Sequence, residues 1–279
     1  MAGLSASEAE RKVVLITGAS SGIGKACAEH LARRGYRVFG AQRQALATET
    51  GASAVEMIYM DVDDEGSVNQ AIRTLLEKAG RLDVVINNAG FALMGAVEDT
   101  SIEEAKAQME TNFFGVLRVC RAVLPVMRKQ GSGYLINISS LAGVLGLPFS
   151  GLYSASKFAL EGMSESLRLE LRRFGVRVVL VEPGDFRTQL PAKRRIARAS
   201  GKNDAYRAAF AQFQTAQEKD EAKAPTPEPV AYLIERILRS RAPGLRYSVG
   251  MIGQRVVVPL KRLLPQHLFE WALCRVLAL

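Results

Sequence analysis

Tyr153 and Lys157 stand four positions apart in the run Tyr-Ser-Ala-Ser-Lys. On a helix this spacing brings both side chains out on one face. Proton exchange is the chemistry such a pair offers. A free tyrosine titrates at about 10, too high for efficient exchange at neutral pH, and an ammonium one turn away favours the phenolate. Thirteen positions before Tyr153 lies Ser140, a hydroxyl suited to holding and polarising a carbonyl oxygen. Ser139 is the same residue type, and spacing alone selects Ser140.

A second constellation precedes these residues. Thr17-Gly18-Ala19-Ser20-Ser21-Gly22-Ile23-Gly24 joins an apolar run to a helical period. Gly18 permits a tight turn, Gly22 lets backbone approach a pyrophosphate, and Gly24 lets a helix pack closely on a sheet. Ser20, Ser21 and Ile23 complete the cradle. The helix start turns unpaired N–H groups and its positive dipole end toward the phosphates. The spacing is GxxxGxG, not the commoner GxGxxG, and a purely structural turn is the alternative. The next strand ends in Gln42 and Arg43, where NAD-binding folds usually carry a carboxylate for the ribose 2′-hydroxyl. A guanidinium there pairs with a 2′-phosphate, so NADP(H) is the expected dinucleotide. The alternative is a solvated Arg43 with Gln42 on either ribose. Two histidines far apart and three cysteines without a CxxC pair exclude a His-rich metal centre, a Ser-His relay and a disulfide framework; no metal site is expected.

The scaffold for these residues is written as alternating apolar runs and helical periods. Val13-Val14-Leu15-Ile16 is continuously apolar, as in a strand buried on both faces of a parallel sheet. Strands are expected also at Tyr36 to Gln42, Met57 to Met60, Val84 to Ile86, Leu135 to Ile138 and Val176 to Val181. Helices are expected up to about Arg34, over Glu65 to Ala79, over Ile102 to Lys129 with a bend near Pro125, and over Tyr153 to Phe174. The alternation predicts an α/β fold, a doubly wound parallel sheet of Rossmann type whose strand ends meet at one ligand-binding edge. Phe186 to Ala224 is expected to be helical, with a lid over the substrate from Phe186 to about Phe213, then a helix over Val230 to Arg239 and an edge strand over Leu245 to Val249. No linker or repeat divides the chain, so one domain over residues 1–279 is expected, with a core over about 12–250 and a tail over about 251–279.

Thr17 to Gly24, Asp61, Asn87 to Gly90, the Ser140/Tyr153/Lys157 set, and Pro183-Gly184 with Thr188 occur in that order. Together they resemble the short-chain dehydrogenase/reductase family in its one-domain form, over roughly Lys12 to Thr188. The resemblance implies that Tyr153 exchanges a proton with the substrate oxygen, that Lys157 tunes Tyr153 and binds the nicotinamide ribose, and that Ser140 bonds the substrate oxygen. It implies that Asn112 keeps a water in a proton relay reaching Lys157. Asp61 and Val62 would border the adenine, Asn88, Ala89 and Gly90 the adenosine side, and Thr188 the carboxamide or phosphate. A carbonyl/alcohol substrate and a homo-oligomer, dimer or tetramer, follow from the same resemblance.

Composition narrows the partners. The chain is 48% hydrophobic and 23% charged with net charge +9, and shows no basic stripe interleaved with aromatics, so no nucleic-acid partner is expected. The N-terminus lacks a signal-peptide core and no run approaches the ~20 apolar residues of a membrane span, which points to the cytoplasm. An apolar pocket wall is read in Phe91, Leu93, Met94, Leu145, Leu147 and Phe149, consistent with a steroid-, retinoid- or lipid-like carbonyl. Lys193, Arg194 and Arg195 read as a solvated helix face, with an acidic substrate as the alternative. The tail mixes apolar residues with Arg255, Lys261, Arg262 and Arg275 and holds the only tryptophan, Trp271. It packs on the protein, closes the cleft or lies on a membrane surface. An NADP(H) sensor without turnover, and a membrane-attached interaction protein, are the competing classes.

Overall fold

Strand β1 (Val13–Thr17) is buried along its whole length, as its unbroken apolar run requires when both faces of a sheet are covered. The structure, a computed structural model, describes residues 11–43, 54–187 and 194–277. Around β1 lie β2 (Arg37–Gln42), β3 (Val55–Tyr59), β4 (Val84–Asn87), β6 (Gly133–Ile138), β7 (Val176–Pro183) and β9 (Arg246–Val249). They form one seven-stranded sheet in the order β3-β2-β1-β4-β6-β7-β9, with every neighbouring pair parallel. The order reverses between β1 and β4, and a crevice opens there at the strand ends. This is the Rossmann-like, doubly wound arrangement.

Helices cover both faces. On one face α2 (Glu65–Ala79), α4 (Gly115–Gln130) and α5 (Gly151–Glu170) bury Leu75, Val123, Met127 and Leu160 against Leu15, Val85 and Leu135. On the other, α1 (Gly22–Arg33) and α7 (Glu228–Arg239) bury Leu31, Ile234 and Ile237 against Ile16, Ile86 and Val179. Local signals set the ends. Asp64 caps α2 by accepting from Ser67 N, and Gly80 closes it in the left-handed region. Ser101 and Glu104 form a reciprocal capping box on α3 (Ile102–Met109).

Two expectations differ from the structure. The long helix expected over Ile102 to Lys129 is not continuous, although Pro125 does not end it and lies inside α4; Pro125 is exposed, so water can serve the carbonyl it leaves free. The interruption is a π-helical turn at Glu110–Phe114. The lid does not start as a helix: Arg194–Ile196 is strand β8, paired in parallel with β5 (Ala92–Met94), and the helix α6 begins later (Asp204–Lys223). The tail forms two helices, α8 (Ile252–Leu263) and α9 (Gln266–Leu277). Among the described residues no helix is long and apolar enough to cross a membrane.

Candidate active site

The glycine turn closes onto β4 through one side chain. Asn88 donates from Nδ2 to Thr17 O (3.0 Å) and Gly18 O (3.1 Å), while Thr17 Oγ1 accepts from Asn88 N and Ala89 N, both at 3.0 Å. Gly24 leaves no room for a side chain: a Cβ there would stand 2.3 Å from Gly18 O and 2.4 Å from Asn88 Nδ2. Gly18 and Gly22 hold φ of 66° and 57°, in the left-handed region that glycine adopts freely. Ser21 begins α1 without a side-chain cap, and the first turn contains no acidic residue. Its N–H groups therefore face an anion without a competitor. The residues present fit a dinucleotide pyrophosphate.

The pocket at the sheet's edge gathers most of the expected residues. Ser21, Gly22, Ile23, Asn88, Gly90, Asn112, Ser140, Tyr153, Lys157, Pro183 and Gly184 all line it. Gly18, Ser20 and Gly24 of the glycine turn, and Ala89 after β4, do not line it. Arg43, Asp61 and Val62 stand outside it at the ends of β2 and β3. Arg43 is 56% exposed, with its guanidinium 3.9 Å from Asp63 Oδ2. Thr188 and Lys193 lie outside the described residues.

Helix α5 presents Tyr153 and Lys157 on one face, at the chain spacing that suggests it. Ser140 lines the same pocket as Tyr153, and its Oγ accepts from Ala142 N at 3.1 Å. Ser139 is fully buried and lies beside Glu161 instead, because consecutive residues of an extended chain point to opposite sides. Burial pushes the Tyr153 phenol above its ordinary value; the nearby Ser140 hydroxyl and the Arg194 charge oppose this and the Asp185 charge adds to it. Burial pushes Lys157 down to about 8, with Glu161 pulling it back up. The Lys157 ammonium donates to Ile138 O at 2.8 Å and stands 5.9 Å from the centre of the Tyr153 ring.

Asn112 owes its position to the π-helical turn. Its Oδ1 accepts from Phe91 N (3.1 Å), and its Nδ2 donates to Phe91 O (2.9 Å) and Ser156 Oγ (3.2 Å). The side chain thus fastens the pocket wall to α5. Gly90 must be glycine for this, since a Cβ would meet Asn112 Oδ1 at 2.9 Å.

The substrate end has an apolar and a polar side. Phe91, Met94, Leu145 and Leu147 line it as expected, with Phe213 from the lid. Leu93 and Phe149 do not line it: Leu93 is buried, and Phe149 packs behind the wall on Phe210 and Phe213 with ring centres 5.4 and 5.5 Å away. The polar side was not read from the sequence, because its residues come from distant segments: Asp185, Arg194, Gln217, Asp220, Glu221 and Gln254. Arg194 pairs with Glu221 and Arg195 lies over the Phe91 ring at 4.0 Å, so neither belongs to a solvated helix face. Gln254 reaches in from α8, accepting from Asp185 N (3.0 Å) and donating to Asp185 Oδ2 (2.6 Å). Gln217 Oε1 is buried with no donor among the described residues.

A doubly wound parallel sheet, a glycine-cradled helix start and a Ser-Tyr-Lys cluster define a dinucleotide-dependent oxidoreductase. Residues 12–199 match the family model for short chain dehydrogenases, and the chain belongs to the short-chain dehydrogenase/reductase family. Its cofactor class is accordingly a nicotinamide dinucleotide. The chain is 42% identical over 262 residues to a 3-ketodihydrosphingosine reductase of Bacteroides thetaiotaomicron, covering 94% of this chain and 96% of that protein. Its structure is similar to a short-chain dehydrogenase from Streptomyces avermitilis, with TM-score 0.80, 34% identity and coverage of 94% and 97%. A family member from Burkholderia phymatum, solved in complex with NAD, superposes with TM-score 0.78 at 27% identity, covering 91% and 94%.

Proposed function

We propose that the protein is an NADP(H)-dependent reductase of a long-chain, lipid-like ketone, of the sphingoid amino-ketone type. The observation that carries the reaction class is that Ser140, Tyr153 and the buried Lys157 line one pocket. Tyr153 gives a proton to the carbonyl oxygen, or takes it from the alcohol in reverse. Ser140 holds and polarises that oxygen. Lys157 binds the ribose hydroxyls and favours the phenolate when its ammonium swings from Ile138 O. Asn112 Oδ1 keeps one lone pair beyond its Phe91 bond, which we assign to a relay water leading to Lys157. The bound nicotinamide supplies or accepts the hydride.

Arg43 supports NADP(H): it is a largely exposed guanidinium beyond β2, held only by a loose 3.9 Å pair with Asp63, at a position where a carboxylate would repel a 2′-phosphate. Asp61 and Val62 border the adenine in this reading. The substrate class is supported by the two-sided pocket. Its apolar wall suits an alkyl chain, and Asp185, Asp220 and Glu221 against Arg194 leave a net negative end that suits an amine. The Bacteroides thetaiotaomicron relative, a 3-ketodihydrosphingosine reductase, has that chemistry in its name.

The test is oxidation of NADPH and NADH, followed at the nicotinamide absorbance, over sphingoid, steroid, retinoid and short aliphatic ketones. Turnover should require NADPH, favour the amino ketone, and fall roughly 10²- to 10⁴-fold in Tyr153→Phe, with NADPH affinity nearly unchanged. NADPH binding without turnover in either direction would replace this reading with a sensor. Preference for a steroid or retinoid would keep the reaction and overturn the substrate.

A further inference from the structure

Helix α8 turns an apolar stripe to water. A helix packed on a soluble protein turns apolar residues inward and polar ones to water. In α8 the inward side carries Gln254, bonded to Asp185, and Lys261, whose ammonium donates to Val144 O at 2.8 Å and lies over the Phe158 ring. The outward side carries Ile252, Val256, Pro259, Leu260 and Leu263, with the exposed Arg255 beside them. Ile252 is 78% and Leu263 79% exposed. On α9 the exposed side continues with Leu268 and with Trp271, which is 61% exposed beneath the Arg275 guanidinium.

We propose that the outer side of α8 and α9 docks on the surface of an anionic lipid bilayer. Isolated exposed apolar residues need no explanation, but an ordered apolar stripe on adjacent helices marks a surface that something covers. Charge selects the occupant. The tail from Met251 onward holds Arg255, Lys261, Arg262 and Arg275 against one acid, Glu270. A second copy seated on the same stripe would set like charges face to face, whereas anionic headgroups complement them. A helix with apolar and basic residues together, and a tryptophan at its edge, is the composition of an interfacial segment.

The same two helices reach the pocket. Gln254, Val257 and Leu273 line it from their inner sides, so docking places the pocket mouth at the lipid surface. That consequence for substrate delivery rests on the lipid-ketone reading; the docking itself does not.

The test uses the full-length protein with vesicles of phosphatidylglycerol in phosphatidylcholine, and pure phosphatidylcholine vesicles beside them. Co-sedimentation with the anionic vesicles, weakening at high salt, is expected. Emission from Trp271, the sole tryptophan, should shift to the blue when they are added. The double variant Ile252→Glu/Leu263→Glu should partition at least about tenfold less, with wild-type melting temperature and wild-type NADPH oxidation by a short water-soluble ketone. Wild-type protein that stays in solution with both vesicle types overturns the proposal. So does a lipid-free dimer that the double variant splits into monomers, because the occupant is then a second copy. If the variant does not fold, the Trp271 shift and the salt dependence of the wild type decide. A failed ketone-reductase reading would silence the activity assay and leave sedimentation untouched.

Discussion

Lys157 is a lysine in an environment that resists its charge: 7% exposed, with the Ile138 carbonyl as its hydrogen-bond acceptor. Its ordinary value is 10.5, and burial brings it to about 8. Between those values the unfolded chain holds more protons than the folded one, so this residue makes stability rise with pH. Below pH of about 8 both states are protonated and the full burial penalty is present. Lys157→Met should therefore be more stable than wild type at pH 7, by on the order of 1–3 kcal/mol, and should lose activity. Melting curves at pH 7 and pH 10 check this, and the gain should shrink at the higher pH. Arg43 bears on a different property. Replacing it by Asp removes the 2′-phosphate's partner and adds a repulsive charge beside Asp63. The expected result is a rise of roughly ten- to a hundredfold in KM for NADPH, with KM for NADH held or lowered. Steady-state kinetics with both cofactors decide it, and equal losses for the two would show that Arg43 does not select.

At the scale of elements, legibility followed the length of the periodic signal. The strands of the main sheet and α1, α2, α5 and α7 were visible because each carries a full apolar run or stripe. The glycine turn was visible because no other residue tolerates its geometry. Gly24→Ala forces a Cβ against Gly18 O and Asn88 Nδ2, and backbone cannot yield as a flexible side chain would. It should cost about 1–3 kcal/mol and weaken dinucleotide binding beyond what stability explains, read by melting curves with and without NADPH. Features made by tertiary context were not legible. The Glu110–Phe114 turn is read as ordinary helix because only one extra residue per turn distinguishes it, although such turns gather at functional sites. The β5–β8 pairing joins two three-residue segments a hundred positions apart, too short to show a period. Ser140, Tyr153 and Lys157 could be named from type and spacing; the polar wall of Asp185, Gln217 and Gln254 could not, since no spacing links α6 and α8 to the end of β7.

At the scale of the whole molecule, the chain's late segments hold the catalytic helix in place. Arg246, on the edge strand β9, donates from Nε to Glu161 Oε2 at 2.8 Å, reaches Glu165, and lies 3.5 Å from Glu182 Oε1. Glu161 follows Tyr153 and Lys157 on α5 at the next helical interval, and Glu182 sits in β7, bonded by Ser248 Oγ at 2.7 Å. One guanidinium thus binds the sheet edge, the neighbouring strand and the helix that presents the site. Burial raises the Glu161 carboxyl above its ordinary value, while the hydrogen bond from Arg246 and the neighbouring Ser139 hydroxyl oppose the rise. Arg246→Leu removes the cation and leaves Glu161 and Glu182 buried together, so a loss of about 3 kcal/mol is expected at pH 7.5. The lost stability should return in part as pH falls. A carboxyl whose folded value lies above its unfolded one holds its proton longer in the folded state, so stability contributed by that proton is present at low pH and lost as pH rises. Urea unfolding of Arg246→Leu at pH 7.5 and 5.5 should show the deficit shrinking at the lower pH. A deficit equal at both would assign Arg246 to packing alone. Because Glu161 also raises the Lys157 value, the same variant should alter the pH profile of kcat, a change that a merely loosened edge strand would not produce.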